Sequence, residues 1–303
     1  MKRNDWFTGY RVDPFLKELC YDPKINARRS PAINRGYLAR LLALEVTFEK
    51  LILMNQVEQV LSLGAGYDSL YFRLANCGYM EKLKYYEIDY PKSVHGKNAR
   101  IMKSKYLLSM FKKKLVTNDS CYVFNDGAFN LIGCSLIELK KLEQKLKECD
   151  FDPSKKTLIL TECSTTYMEN EECRRLFEWL NSFVNSFVII SYEQIRPFDS
   201  FGQIMTAHFK KRNSAIKCVQ HHPTIEAQEK RFKGFGWGPV IVRTIEEIWK
   251  NYMNESEMTR LSELEPFDEA PELMSKCLHY VLILAVKSFP FENVRLFSIL
   301  GFN

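Results

Sequence analysis

The stretch 60–89 constrains this chain more than any other. It reads V-L-S-L-G-A-G-Y-D-S-L-Y-F-R-L and then, from Lys84, K-Y-Y-E-I-D-Y. An apolar run broken by Gly-x-Gly, a helical interval and a second apolar run ending in an acid describe a strand–turn–helix–strand unit facing a nucleotide-like ligand. Gly64 and Gly66 carry no Cβ, so the backbone can turn sharply and a ligand can come close. Asp89 can accept hydrogen bonds from both hydroxyls of a ribose. A dinucleotide loop would continue to a third glycine and seat a pyrophosphate on a helix N-terminus, but position 69 is Ser69. The shorter loop suits a ligand with one ribose and no phosphates, a description that fits S-adenosylmethionine. A two-glycine turn alone is as often only a tight turn; Asp89 at this spacing is what favours a cofactor site.

The rest of the chain repeats the alternation. Residues 35–56 carry apolar side chains at helical spacing. Strands are expected at 58–63, 84–89, 129–134, 157–162 and 186–193, and helices at 68–76, 138–149 and 169–183, with Asp68 or Ser69 capping the first. Continuous apolar strands alternating with helices predict an α/β fold with a mostly parallel sheet covered on both faces. Beyond Pro197 the pattern changes to helices at 199–218 and 224–234, then closing strands at 237–243 and 278–286 forming an antiparallel edge pair. The simplest organisation is one domain: an N-terminal lid and helix (1–56), a cofactor-binding core (57–195), and cap helices with closing strands (196–303). Ligands of open α/β sheets bind at the carboxyl ends of the strands, which gathers Gly64, Asp89, Ser135, Glu162 and Tyr192 around one crevice. The alternative is that Glu162 is an ordinary strand-end residue facing water and nearby Tyr167 a packing side chain.

Composition narrows the class. Nine cysteines without a C-x-x-C pair argue for a reducing compartment, against a disulfide framework and against zinc. Five histidines form no ligand constellation, so no metal is expected. The N-terminus lacks the apolar core of a signal peptide, and the apolar runs are too short to span a bilayer. A cytosolic or nuclear protein without membrane association follows. A net charge of +6 favours acidic partners only mildly. Residues 97–114 hold seven Lys/Arg among aliphatics; a basic helix with one solvated face is the plain reading, contact with nucleic acid or an acidic peptide the alternative.

Longer strings carry a family resemblance. A-R-R-S-P-A-I-N-R-G-Y-L-A-R (27–40), L-S-L-G-A-G-Y-D-S-L-Y-F-R-L (61–74), Y-Y-E-I-D-Y-P, L-T-E-C-S-T-T-Y-M (160–168) and Y-E-Q-I-R-P-F-D-S-F-G-Q-I-M (192–205) resemble, in order, the leucine carboxyl methyltransferase family. The resemblance implies a class I, Rossmann-like S-adenosylmethionine-dependent methyltransferase. One branch methylates the C-terminal leucine carboxylate of the type 2A protein phosphatase catalytic subunit. The other acts on the wybutosine precursor in phenylalanine tRNA, and its proteins continue into a kelch propeller. Residues 196–214, 224–232, 264–269 and 277–282 look more like the tRNA branch. A non-catalytic relative that keeps the fold is the remaining alternative.

The resemblance also implies roles. Lys2 would close over the cofactor; Arg35 would lie near the methionine and substrate carboxylates. Gly64, with Gly66, would form the cofactor turn, and Asp89 would hold the ribose. Leu136 would contact the adenine, Glu162 would line the methionyl end, and Tyr167 would seat the substrate carboxylate. Where the family carries Asp before Leu136, this chain has Ser135, which can hydrogen-bond the adenine amino group but brings no charge. Arg35 and Tyr167 are the candidate catalytic residues.

Overall fold

Five largely apolar runs make the centre of the sheet. They are β1 (Gln59–Leu63), β2 (Lys84–Asp89), β5 (Phe129–Gly133), β6 (Thr157–Glu162) and β7 (Phe187–Gln194), and they run parallel in the order β5-β2-β1-β6-β7. Every residue of β1, β5 and β7 is buried, because both faces of this sheet are covered. Side chains alternate between the faces. Val60, Leu158, Leu160, Val188 and Ile190 enter one apolar core, whereas Leu61, Leu63, Ile159 and Ile189 enter the other. The computed structural model describes residues 9–10, 13–20, 29–53, 57–81, 83–111, 116–118, 120–124 and 127–288.

Antiparallel strands finish both edges of the nine-stranded sheet. β9 (Tyr280–Lys287) pairs with β7, and β8 (Val240–Thr244) pairs with β9, which is the edge pair expected from the sequence. At the other edge β4 (Cys121–Phe124) and β3 (Val116–Asn118) extend the sheet beyond β5; the sequence pattern does not reveal them. The first core is covered by α1 (Pro14–Cys20), α2 (Pro31–Leu53), α3 (Leu70–Asn76) and α4 (Pro91–Lys103). The second is covered by α6 (Leu139–Glu148), α7 (Asn170–Phe183) and α9 (Ile225–Lys233). The cap helix α8 (Ser200–Lys211) begins at Asp199, whose Oδ1 accepts from Gly202 N at 2.8 Å.

Several expectations need correction. The basic stretch is not one helix: Ser104 leaves helical geometry and accepts from Leu107 N at 3.1 Å, which ends α4 and starts α5 (Lys105–Ser109). Lys97 is buried rather than solvated; its Nζ donates to the Asp68 carbonyl at 2.6 Å and pairs with the Glu87 carboxylate. Helix α3 starts at Leu70, and Ser69 makes no side-chain cap; its hydroxyl is turned to donate to Asp13 Oδ2 at 2.5 Å. α8 stops at Lys211 rather than 218. Between β8 and β9 stand three helices that the sequence reading left unassigned: α10 (Ile245–Tyr252), α11 (Glu255–Leu264) and α12 (Ala270–Leu278).

Candidate active site

The parallel strands end at one crevice of about 840 Å³. Gly64 follows β1 at φ 76°, and a Cβ there would meet Ser164 Cβ at 2.4 Å, so only glycine fits. Gly66, at φ 55°, does not line the crevice; its N–H donates to Asp89 Oδ2 at 2.8 Å. Asp89 Oδ1 accepts from Tyr90 N at 2.7 Å. Both oxygens are thus oriented by backbone amides, and each keeps acceptor capacity for a hydroxyl. Ser135 and Leu136 follow β5 and also line the crevice. Cys134 N donates to the Asp89 carbonyl at 2.9 Å, which ties this third strand end to the second.

Glu162 closes β6. Cys163 takes a left-handed conformation, φ 54°, that turns the chain so that Glu162, Cys163 and Ser164 all reach the crevice. Burial pushes the Cys163 thiol up to about 12, which keeps it neutral. Ser164 Oγ is buried with no hydrogen-bond partner among the described residues. Tyr167 lies just beyond, with its ring 6.4 Å from that of Phe209 on α8, and burial raises its hydroxyl above the ordinary tyrosine value.

Arg35 does not belong to this wall. It is 2% exposed, its Nη2 donates to the Leu261 carbonyl at 3.0 Å, and its guanidinium packs 4.0 Å from the Phe267 ring under α11. The arginine that reaches the crevice is Arg40, on the same helix but about 140° around its axis. Gly36 and Tyr37 face the crevice beside it. Arg40 Nε donates to Glu162 Oε1 at 2.6 Å, and its guanidinium lies 4.8 Å from the Tyr192 ring. Burial works against this charge, but Glu162, Cys163 and Tyr192 together hold the guanidinium well above its ordinary value. Its two terminal amino groups make no further hydrogen bond among the described residues.

The structure therefore brings together Gly64, Asp89, Ser135, Leu136, Glu162, Tyr167 and Tyr192. It sets Arg35 elsewhere and places Gly66 one step behind the wall. Lys2 lies outside the described residues, as does most of the segment read as a lid. Besides Arg40, sequence reasoning missed the rim: Tyr37 from α2, Ser164, Phe209 from α8, Lys276 from α12 and Tyr280 from β9. Tyr37, Arg40 and Ser164 fall inside the strings quoted for the family, but nothing in those strings says which side chains face the crevice; the fold decides that.

The crevice fits S-adenosylmethionine. Asp89 offers oriented acceptors for a ribose, and Gly64 lets the chain turn tightly against Ser164 beside it. Ser135 offers a hydroxyl and Leu136 an apolar side chain to an adenine, and Ser164 has an unused hydroxyl. Glu162 complements the ammonium of an amino acid. Among the described residues no cluster of His, Cys, Asp and Glu could hold a metal, and no helix is long and apolar enough to cross a membrane.

Comparison with known proteins agrees with this geometry. Two solved structures share the fold: a putative methyltransferase from Thermobifida fusca (TM-score 0.54, 12% identity, 85% of this chain and 84% of that one) and a DUF574 family protein from Streptomyces avermitilis (TM-score 0.53, 10% identity, 90% and 95%). In sequence, the tRNA wybutosine-synthesizing protein 4 of Homo sapiens is 32% identical across 98% of this chain, which spans 44% of that relative's length. The leucine carboxyl methyltransferase 1 of Rattus norvegicus is 30% identical across 92% of this chain and 84% of its own. The sequence model of leucine carboxyl methyltransferases matches residues 3–181. The chain belongs to the leucine carboxyl methyltransferase family of S-adenosylmethionine-dependent methyltransferases.

Proposed function

We propose that this chain forms a methyl ester on a carboxylate, and that the carboxylate is the side chain of the wybutosine precursor in phenylalanine tRNA. The observation that carries the reaction is Arg40, held by Glu162 at the junction between the cofactor loop and an aromatic rim. S-adenosylmethionine, when bound, supplies a methyl group on a positively charged sulfur. A carboxylate is already ionised at neutral pH, so the site needs no general base to prepare it. What the chain must supply is position. Arg40 can grip a carboxylate with its two terminal amino groups while Nε stays on Glu162. Tyr167, kept protonated by burial, can donate to the same group. Holding the reacting atoms in line can contribute roughly 7–11 kcal/mol at best. Because opposite charges cancel during transfer, the partly buried crevice also favours the reaction.

For the substrate, the rim supports a flat base: Tyr37, Tyr167, Phe209 and Tyr280 line the crevice beyond Arg40. The relative named for wybutosine synthesis, which matches nearly the whole chain, points the same way. The second reading is the C-terminal leucine carboxylate of the type 2A phosphatase catalytic subunit, favoured by the relative of nearly equal identity that this chain matches over most of its length. The test is incubation with labelled S-adenosylmethionine and, in parallel, phenylalanine tRNA from cells blocked before this step and the phosphatase core dimer. Alkali-labile label in the tRNA is expected. Label in the phosphatase alone would move the chain to the second reading, and label in neither would overturn the enzymatic proposal.

A further inference from the structure

Helix α8 walls the crevice on one side and faces solvent on the other. Gly202 and Met205 are buried, and Phe209 reaches the crevice beside Tyr167. Its outer face carries Ile204, His208 and Lys211, at i, i+4 and i+7, all exposed. Ile204 is 71% exposed, and Phe198, just before the helix, is 63% exposed. At the far end stand Lys210, Lys211 and Arg212, three consecutive exposed cations with no ion pair among the described residues. Neighbouring cations differ: Lys217 is paired with Glu169 at 2.7 Å, and Arg196 with Asp199 at 3.2 Å. Cations in a last helical turn are favoured by the helix dipole, by about 0.3–1 kcal/mol each. That accounts for basic residues at this end, but not for exposed Phe198, just before the helix, and Ile204 on it, which a docked partner would cover.

Resting on the tRNA reading above, we infer that the outer face and C-terminal end of α8 form the RNA-docking surface of this chain. Lys210, Lys211 and Arg212 contact backbone phosphates, and Phe198 and Ile204 pack against the sugar and base surface beside the nucleotide that enters the crevice. Charge chooses the occupant: between residues 196 and 217 the sole acid is Asp199, which already caps α8 and pairs with Arg196. Such a surface complements a polyphosphate backbone. The other basic candidate, residues 97–114, is weaker, because Lys97 is buried in an ion pair.

The test is binding of a phenylalanine tRNA anticodon stem-loop to the full chain across a salt series. Three proteins are compared: wild type, the triple variant K210A/K211A/R212A, and a control of equal charge change, K84A/K147A/K155A, at the opposite end of the sheet. Wild type should show log affinity falling steeply with log salt. The triple variant should bind roughly 10–100-fold more weakly near physiological salt with a slope reduced by about 2–3, while the control stays near wild type. S-adenosylmethionine affinity should be equal in all three, which shows that the crevice is intact. Unchanged RNA affinity in the triple variant, or an equal loss in the control, would overturn the docking surface. So would a loss of binding to the phosphatase core rather than to RNA, which would make α8 a protein-docking face. RNA that is bound through α8 but never methylated would instead sink the functional reading and leave the surface standing. RNA methylated with unchanged affinity in the triple variant would do the reverse.

Discussion

A guanidinium donates two parallel hydrogen bonds where an ammonium offers one compact charge. Arg40→Lys therefore keeps a cation beside Glu162 but loses the fork, and turnover should fall about 100-fold with little change in melting temperature. Arg35→Met should do the opposite. It strips a buried carbonyl partner from Leu261, so stability should drop by about 1–3 kcal/mol in urea unfolding while cofactor affinity is kept. If Arg40→Lys turns over normally, its assigned role is wrong. The similarity of the I-N-R-G-Y-L-A-R string does not tell these arginines apart. Nor does helical phase: α2 is buried on nearly every side, with Asn34, Arg35, Glu45 and Thr47 all covered, so no polar face points to the crevice. Glu87 was equally hidden in a strand pattern, yet it gives a second prediction at this scale. Burial pushes its carboxyl up to about 7, against the pull of Lys97. The folded chain then holds a proton on Glu87 between pH 4.5 and 7 that the unfolded chain has released, so this group's contribution to stability declines as pH rises through that window. Glu87→Gln should flatten the stability profile between those pH values. An unchanged slope in the variant would show that Glu87 is ionised throughout.

α8 is held to the sheet at its first turn. Asp199 accepts from Gly202 N, and His279 Nε2, at the end of α12, lies 2.7 Å from Asp199 Oδ1. Burial raises the Asp199 carboxyl, but the Gly202 amide and His279 outweigh it, so its pKa lies below the ordinary 3.8. The group therefore stabilises the folded chain fully above that value, and the contribution is lost as pH falls through the lowered one. Asp199→Ala should cost about 0.5–2 kcal/mol at neutral pH, with the gap from wild type closing in acid. A constant gap down to pH 3 would mean that the cap works without its charge. The parallel strands were legible because burial on both faces writes a near-continuous apolar run. β4 was not, because its middle residues are half-buried and show no alternation. Helices α10 and α11, of 8 and 10 residues, are too short for a clear period. Their starts are nonetheless written in the chain, since Thr244 and Glu247 form a capping box and Asn254 accepts from Glu257 N.

Across the whole molecule, the crevice draws on residues from Leu16 to Tyr280, through both faces of the sheet. The rule that ligands meet the carboxyl ends of parallel strands was enough to gather Gly64, Asp89, Ser135, Glu162 and Tyr192 from the sequence. The rim from α1, α8 and α12 was out of reach, because it depends on how the added helices fold back over that end. A ligand seated there binds only the folded chain, so it must raise the stability of the whole. At a concentration 100 times its dissociation constant, S-adenosylmethionine should add about 2.7 kcal/mol, seen as a rise in melting temperature. Asp89→Asn removes the charge that orders Gly66 and awaits the ribose, while keeping size and shape. At the same ligand concentration the rise should shrink by most of that amount, since hydrogen bonds to charged groups are worth about 1.5–3 kcal/mol. A full rise in Asp89→Asn would mean that the ligand sits elsewhere in the crevice, with its ribose away from β2. The same loss without any change in the ligand-free melting temperature would tie the crevice, rather than the sheet, to Asp89.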